Sequence, residues 1–85
     1  MLFRSMSAEY SRQAVKVISR MDKITKQRIR QGILDIPKGD IKPLKGSEGS
    51  YRLRLGNWRI IFSYIDKSKI LVEKIAPRGQ AYKEG

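Results

Sequence analysis

The stretch YRLRLGNWRIIFSY, residues 51–64, constrains this chain more than any other. Residue character alternates with a period of two on either side of Gly56-Asn57, a pair that tolerates the positive φ of a tight two-residue loop. The stretch therefore reads as an antiparallel hairpin. That pairing puts Tyr51, Leu53 and Leu55 in phase with Trp58, Ile60, Phe62 and Tyr64 on one side of the sheet. Arg52, Arg54 and Arg59 fall on the other side, with Arg54 directly opposite Arg59. Like charges facing each other across a ladder cost roughly 0.2–1 kcal/mol. The rest of the chain must cover the apolar side, and the cationic side must have a use.

The cover comes from upstream. Ser7 reads as an N-cap, after which Tyr10, Ala14, Val17, Ile18 and Met21 recur at helical spacing while Arg12, Lys16, Ser19 and Arg20 turn away, an amphipathic helix of about four turns. Asp22 or Thr25 caps a second helix whose stripe is Ile29, Ile33 and Ile36, with Leu34 beside it, and PKGD at 37–40 ends it. Residues 2–5, LFRS, form a short edge strand, and IKPLKGSEGS at 41–50 reads as a loop. After the polar turn at 66–69, ILVEKIA supplies a third strand of the meander. Pairing Ile65 with Ile70 continues the cationic side with Val72, Lys74 and Ala76 and brings Arg78 beside Arg59. Glu73 then falls among Leu71 and Ile75, which a bulge or a sheet-edge position relieves. The expected class is α+β, an N-terminal helical hairpin packed on one face of a small twisted antiparallel β-sheet, and 85 residues make it a single domain, 1–85.

Solvation alone makes outward strand positions polar, but it mixes signs. Here Lys42, Lys45, Arg52, Arg54, Arg59, Lys74 and Arg78 gather with Glu48 as the sole acid between 41 and 65. With 19 Lys+Arg against 8 Asp+Glu, net +11, the chain is matched to a polyanion or an acidic protein. Guanidinium groups grip phosphate oxygens bidentately, so a phosphate backbone suits this face. Ile61 and Ile65 on the same side form an aliphatic patch fitted to a protein partner rather than to base stacking. Tyr82, four residues after Arg78, can stack on a base or bond a phosphate or sugar. The chain has no Cys and no His, which excludes thiolate nucleophiles, a disulfide framework, zinc ribbons and imidazole acid–base chemistry. No metal or cofactor is expected. No run approaches the roughly 18 apolar residues of a membrane span, and MLFRSMSAEY lacks a signal-peptide core, so a cytoplasmic protein without membrane contact is expected.

The order helix, helix, KPLKG, YRLRLGNWRIIFSY, KILVEKIAPRGQAYK resembles the RelE/ParE superfamily of bacterial toxin–antitoxin toxins, and its RelE branch in particular. The resemblance covers nearly the whole chain and rests on the Pro-Leu-Lys-Gly segment, the Tyr-Arg-x-Arg strand, the Trp-Arg-Ile-Ile-Phe-x-Tyr strand and the closing Arg-Gly-x-x-Tyr. It implies a metal-independent endoribonuclease that cleaves mRNA, typically in the ribosomal A site, and that an acidic antitoxin holds inactive in a hetero-oligomer. The family's paired basic positions fall on Arg52 and Arg54, its transition-state arginine on Arg59, and its C-terminal arginine and tyrosine on Arg78 and Tyr82. RelE-type toxins often carry lysine where this chain has Arg52 and Arg54, and arginine is a poor general base. Lys42, Lys45, Lys74 and Lys83 are the expected RNA contacts, with Lys45 the nearest flexible alternative for a base; Ile61 and Ile65 are the expected antitoxin contacts. Two other readings stay open at this point, a ParE-like inhibitor of DNA gyrase without RNase activity and a non-catalytic nucleic-acid-binding homologue.

Overall fold

The computed structural model describes residues 7–36, 38–46 and 48–77. The chain runs β1 (Ser7–Tyr10), α1 (Arg12–Ser19), α2 (Lys23–Leu34), β2 (Asp40–Pro43), β3 (Ser50–Leu55), β4 (Trp58–Asp66) and β5 (Lys69–Pro77). The five strands form one sheet in the order β1-β5-β4-β3-β2. The expected α+β architecture is present. Strands β2 to β5 pair antiparallel, and β1 adds a parallel pairing along β5, so the sheet is mixed.

Both helices lie on the side of Leu53, Ile60 and Phe62. Ala14 of α1 and Ile29 and Ile33 of α2, with Ile36 just beyond it, share one buried cluster with Leu53, Ile60, Phe62, Ile70, Val72 and Ile75. The aspartate at position 22 caps α2, as the sequence suggests. Its carboxylate accepts from the Thr25 amide at 3.2 Å and from the Thr25 hydroxyl at 2.6 Å. Gly56 alone takes positive φ in the β3–β4 turn, at 60°, so it occupies the first central position of the loop, where a Cβ is least welcome.

The start of the chain differs from expectation. Ser7 does not cap α1; Ser7–Tyr10 is a strand paired with Lys69–Val72. Ser11 is the N-cap instead, its hydroxyl accepting from the Ala14 amide at 3.1 Å, and α1 has eight residues. Tyr10 and Ala8 pack on the core, so their alternation serves a strand as well as it would a helix stripe. The expected strand at 2–5 lies outside the described residues. A second difference is β2, which occupies the start of the expected 41–50 loop. Only Ile41 of this edge strand packs inward, and Pro43 sits where an edge strand can accept a residue without an N–H.

The third difference is the phase of β5. Tyr64, not Ile65, pairs with Ile70, and Phe62 pairs with Val72, so Ile70 and Val72 belong to the core and not to the cationic side. A register shift follows, because Ile61 pairs with Lys74. Glu73 is the extra residue, and past it Lys74 and Ala76 return to the arginine side as expected. Beyond the end of β1, side chains from the start of α1 complete the free edge of β5. The Ser11 hydroxyl donates to the Glu73 carbonyl at 2.8 Å. The Gln13 amide both donates to the Ile75 carbonyl and accepts from the Ile75 N–H, each at 3.1 Å. Gln13 thus acts as a one-residue strand.

Replacing Gln13 with Ala strands both backbone groups of Ile75, and an unsatisfied partly buried group costs about 1–3 kcal/mol; urea denaturation of Gln13→Ala should show a loss in that range. A second expectation concerns acid. The Thr25 hydroxyl, then its amide, hold the Asp22 carboxyl below its ordinary range. Because the folded value lies below the unfolded one, near ~3.9, Asp22 contributes stability at neutral pH that is lost as pH falls through the folded value. Asp22→Asn keeps a cap acceptor and removes the titration, so its melting temperature should fall less steeply between about pH 5 and pH 2 than that of the wild type.

Candidate functional site

Strand register arranges the side opposite the helices into rows. In the first, Asp40, Arg54, Arg59 and Ala76 lie side by side across β2, β3, β4 and β5. In the second, Lys42, Arg52, Ile61 and Lys74 do the same. The third holds Ser50, Ser63, Leu71 and, on β1, Glu9. Arg54 and Arg59 do face each other directly. The structure therefore brings together Arg52, Arg54, Arg59, Lys42 and Lys74. It does not bring Lys45 to them, since that residue is exposed in the β2–β3 turn, past the Ser50 end of the hairpin. Arg78, Tyr82 and Lys83 lie outside the described residues.

The arginines are held differently. Arg52, in the middle of its row, is only 9% exposed. The Nε atoms of both Arg54 and Arg59 are buried, while Arg54 keeps 38% of its side-chain surface. Its guanidinium thus turns terminal nitrogens outward. Asp40 stands 4.0 Å from Arg54 Nη1, a long pair between exposed groups that contributes about 0–1 kcal/mol and orients more than it stabilises. At the far corner of the face, Lys69 and Glu9 pair at 3.6 Å. Fixed guanidinium groups with outward nitrogens can cradle an oxyanion without reorganising.

Ile61 is half-buried between Arg52 and Lys74, whereas Ile65 is 50% exposed near the other end of β4. Leu71, paired with Ser63, lies between their rows. The tyrosines of the sheet belong to the opposite side. Tyr51, Phe62 and Tyr64 form an aromatic cluster with centroids 5.4–5.7 Å apart. Burial, helped by Tyr51, raises the Tyr64 phenol; burial also raises that of Tyr10, against the opposing pull of Arg30. Both phenols are held neutral.

Sequence reading missed three carboxylates on this face: Asp40, Glu9 and Glu73. The first two require strands β2 and β1, each four residues long, which show too little alternation to be recognised. Glu73 is visible as a misfit in the alternation of β5, and that misfit marks the bulge. Among the described residues, no three His, Cys, Asp or Glu converge as a metal site.

No family model matches the chain. Over 47 residues it is 45% identical to the proposed toxin RelE1 of Methanocaldococcus jannaschii, a stretch that is 54% of this chain and spans about half, 52%, of that relative. Its fold matches a chain of the RelB–RelE antitoxin–toxin complex from Methanococcus jannaschii with a TM-score of 0.69 at 25% identity, over 88% of this chain and 95% of the other. A chain of the RelBE2 complex from Mycobacterium tuberculosis shares the fold, with a TM-score of 0.69 at 15% identity, over 87% of this chain and 99% of that one. The identity with RelE1 over about half of the chain, and the fold shared along nearly the whole of it with the RelB–RelE complex chain, make this protein similar to RelE toxins in sequence and in fold.

Proposed function

We propose that the protein is the toxin of a type II toxin–antitoxin pair and an endoribonuclease that cleaves mRNA in the ribosomal A site. One observation carries the reading. Arg54 is held opposite Arg59, with Arg52 in the next row, at a cost in repulsion that solvent exposure alone does not repay. The likeness to RelE1 and to a RelB–RelE complex supports it. In the proposed reaction the 2′-hydroxyl attacks the adjacent phosphodiester, leaving a cyclic phosphate and a 5′-hydroxyl. Arg59, with Arg78, stabilises the charge that develops on the phosphorane. Arg52 and Arg54 hold the backbone, flanked by Lys42 and Lys74, and Tyr82 orients the nucleotide. This division of labour relies on positioning and electrostatics, without a metal. Among the described residues no helix is long and apolar enough to cross a membrane, and the proposed substrate places the activity in the cytoplasm.

Primer extension on mRNA with and without ribosomes tests the reading. Wild-type protein should cut only the ribosome-bound transcript. Arg59→Ala should lower the rate by about 10²–10³-fold with little change in melting temperature, since Arg59 lies outside the core. Equal cleavage by wild type and by the Arg59→Ala, Arg78→Ala double mutant would remove this site, and gyrase inhibition without transcript cleavage would make the protein a ParE-like inhibitor.

The partner in this proposal is an acidic antitoxin. Its amphipathic segment lays carboxylates on the arginine rows and aliphatic side chains on Ile61, Leu71 and Ile65, folding as it binds. Titration of the protein with the product of the neighbouring gene should give a complex at submicromolar concentration that melts higher than the free chain. Ile65→Asp should weaken it about tenfold, or ~1.4 kcal/mol. Full cleavage activity inside the complex would contradict the inhibitory role.

A further inference from the structure

The reaction proposed above needs a group to take the 2′-hydroxyl proton, and the arginines are unsuited to that task. The rows on the cationic face narrow the choice. Lys45 stands apart in its turn. Tyr51 and Tyr64 lie on the helix side of the sheet, in the aromatic cluster. Of the carboxylates on the cationic side, Asp40 is engaged with Arg54 on the edge strand, and Glu9 with Lys69 at the far corner.

Glu73 differs from both. As the extra residue of the β5 bulge it escapes the alternation that sends Val72 and Ile75 into the core. Its carboxylate comes within 3.5 Å of the Ser50 hydroxyl on β3. Strand β4 lies between β3 and β5, so the side chain reaches across β4 on the arginine side, next to the row that holds Arg52, Ile61 and Lys74. It is half-buried and joins no ion pair among the described residues. The Ser11 hydroxyl, bonded to the Glu73 carbonyl at 2.8 Å, anchors the backbone at this point.

Resting on the ribonuclease reading, we propose that Glu73 is the general base. Its carboxylate takes the proton from O2′ as the O2′ electron pair forms the new bond to phosphorus. The P–O5′ bond breaks with its electron pair on O5′, and a water molecule protonates O5′. The hydroxide so formed takes the proton back from Glu73, which leaves a 2′,3′-cyclic phosphate, a 5′-hydroxyl and the original carboxylate. The arginines neutralise the phosphate oxygens, and among the described residues the bulge supplies the carboxylate on their face that joins no ion pair.

Single-turnover cleavage of ribosome-bound mRNA tests the assignment. Glu73→Gln keeps the length and the contact with Ser50, so it should melt like the wild type, half-saturate at the same protein concentration, and cleave about 10²–10⁴-fold more slowly at saturation. Acetate added to Glu73→Ala should restore part of the rate and leave Arg59→Ala unchanged. Undiminished cleavage by Glu73→Gln, or a loss that lies wholly in the half-saturating concentration, overturns the inference while the ribonuclease reading stands. If Glu73→Gln unfolds, failure of acetate to rescue Glu73→Ala overturns it as well. A wild-type protein that does not cleave at all overturns both.

Discussion

Everything on the cationic face depends on β4 burying Ile60 and Phe62 beneath the helices. β4 has two neighbours, and each pairs with it so that an inward apolar residue locks the register of an outward charged one. Leu53 opposite Ile60 fixes Arg54 opposite Arg59, and Ile60 opposite Ile75 fixes Arg59 opposite Ala76. A slip of one residue would send the arginines into the core. Full burial of a large aliphatic or aromatic side chain stabilises by roughly 1.5–3 kcal/mol, against roughly 0.2–1 kcal/mol for a facing pair of like charges. The core therefore prevails, and repulsion between Arg54 and Arg59 is the tolerated consequence.

The bulge on β5 meets a different demand. Ile70, Val72 and Ile75 are all needed in the core, yet strict alternation cannot place 72 and 75 on the same side. One extra residue resolves the conflict and moves Glu73 out. A bulge weakens its own ladder, and here α1 compensates. Ser11 and Gln13 bond the backbone of Glu73 and Ile75 along the edge that β1 leaves uncovered. The helix that covers the core thus also steadies the strand that carries Lys74 and Ala76 on the opposite side.

Which parts were legible in the sequence follows from these same forces. The β3–β4 hairpin, the arginine rows and the Ile29, Ile33, Ile36 stripe were readable because each rests on a long, repeated pattern. The first strand was not, because four residues that include Ala8 and Tyr10 fit a helix stripe as well as a strand, and two serines, Ser7 and Ser11, both suit an N-cap. β2 resembles a loop in sequence because Ile41 is its one inward apolar side chain. The phase of β5 is hidden past the turn because Ile65 is an extra residue in the ladder: Asp66 pairs with Lys69 but Tyr64 with Ile70, and nothing local in the sequence announces that shift. Of the candidate site, the cations were found from charge and alternation, while the carboxylates among them needed the register of every strand.

Those carboxylates bear on how such a face can exist without a ligand. Its cations stand on a rigid sheet, so they cannot separate to relieve their repulsion, and a chain of 85 residues has little core with which to offset it. Asp40 beside Arg54 and Glu9 beside Lys69 ease the field at two corners. Nearer the centre, the Glu73 carboxylate lies beside the row that holds Arg52 and Lys74. Any polyanion seated there gains from charges already desolvated and held in place, and by linkage it stabilises the fold that presents them. A nucleic-acid backbone and an acidic protein segment would then compete for the same rows, because both present anionic groups to the same cations.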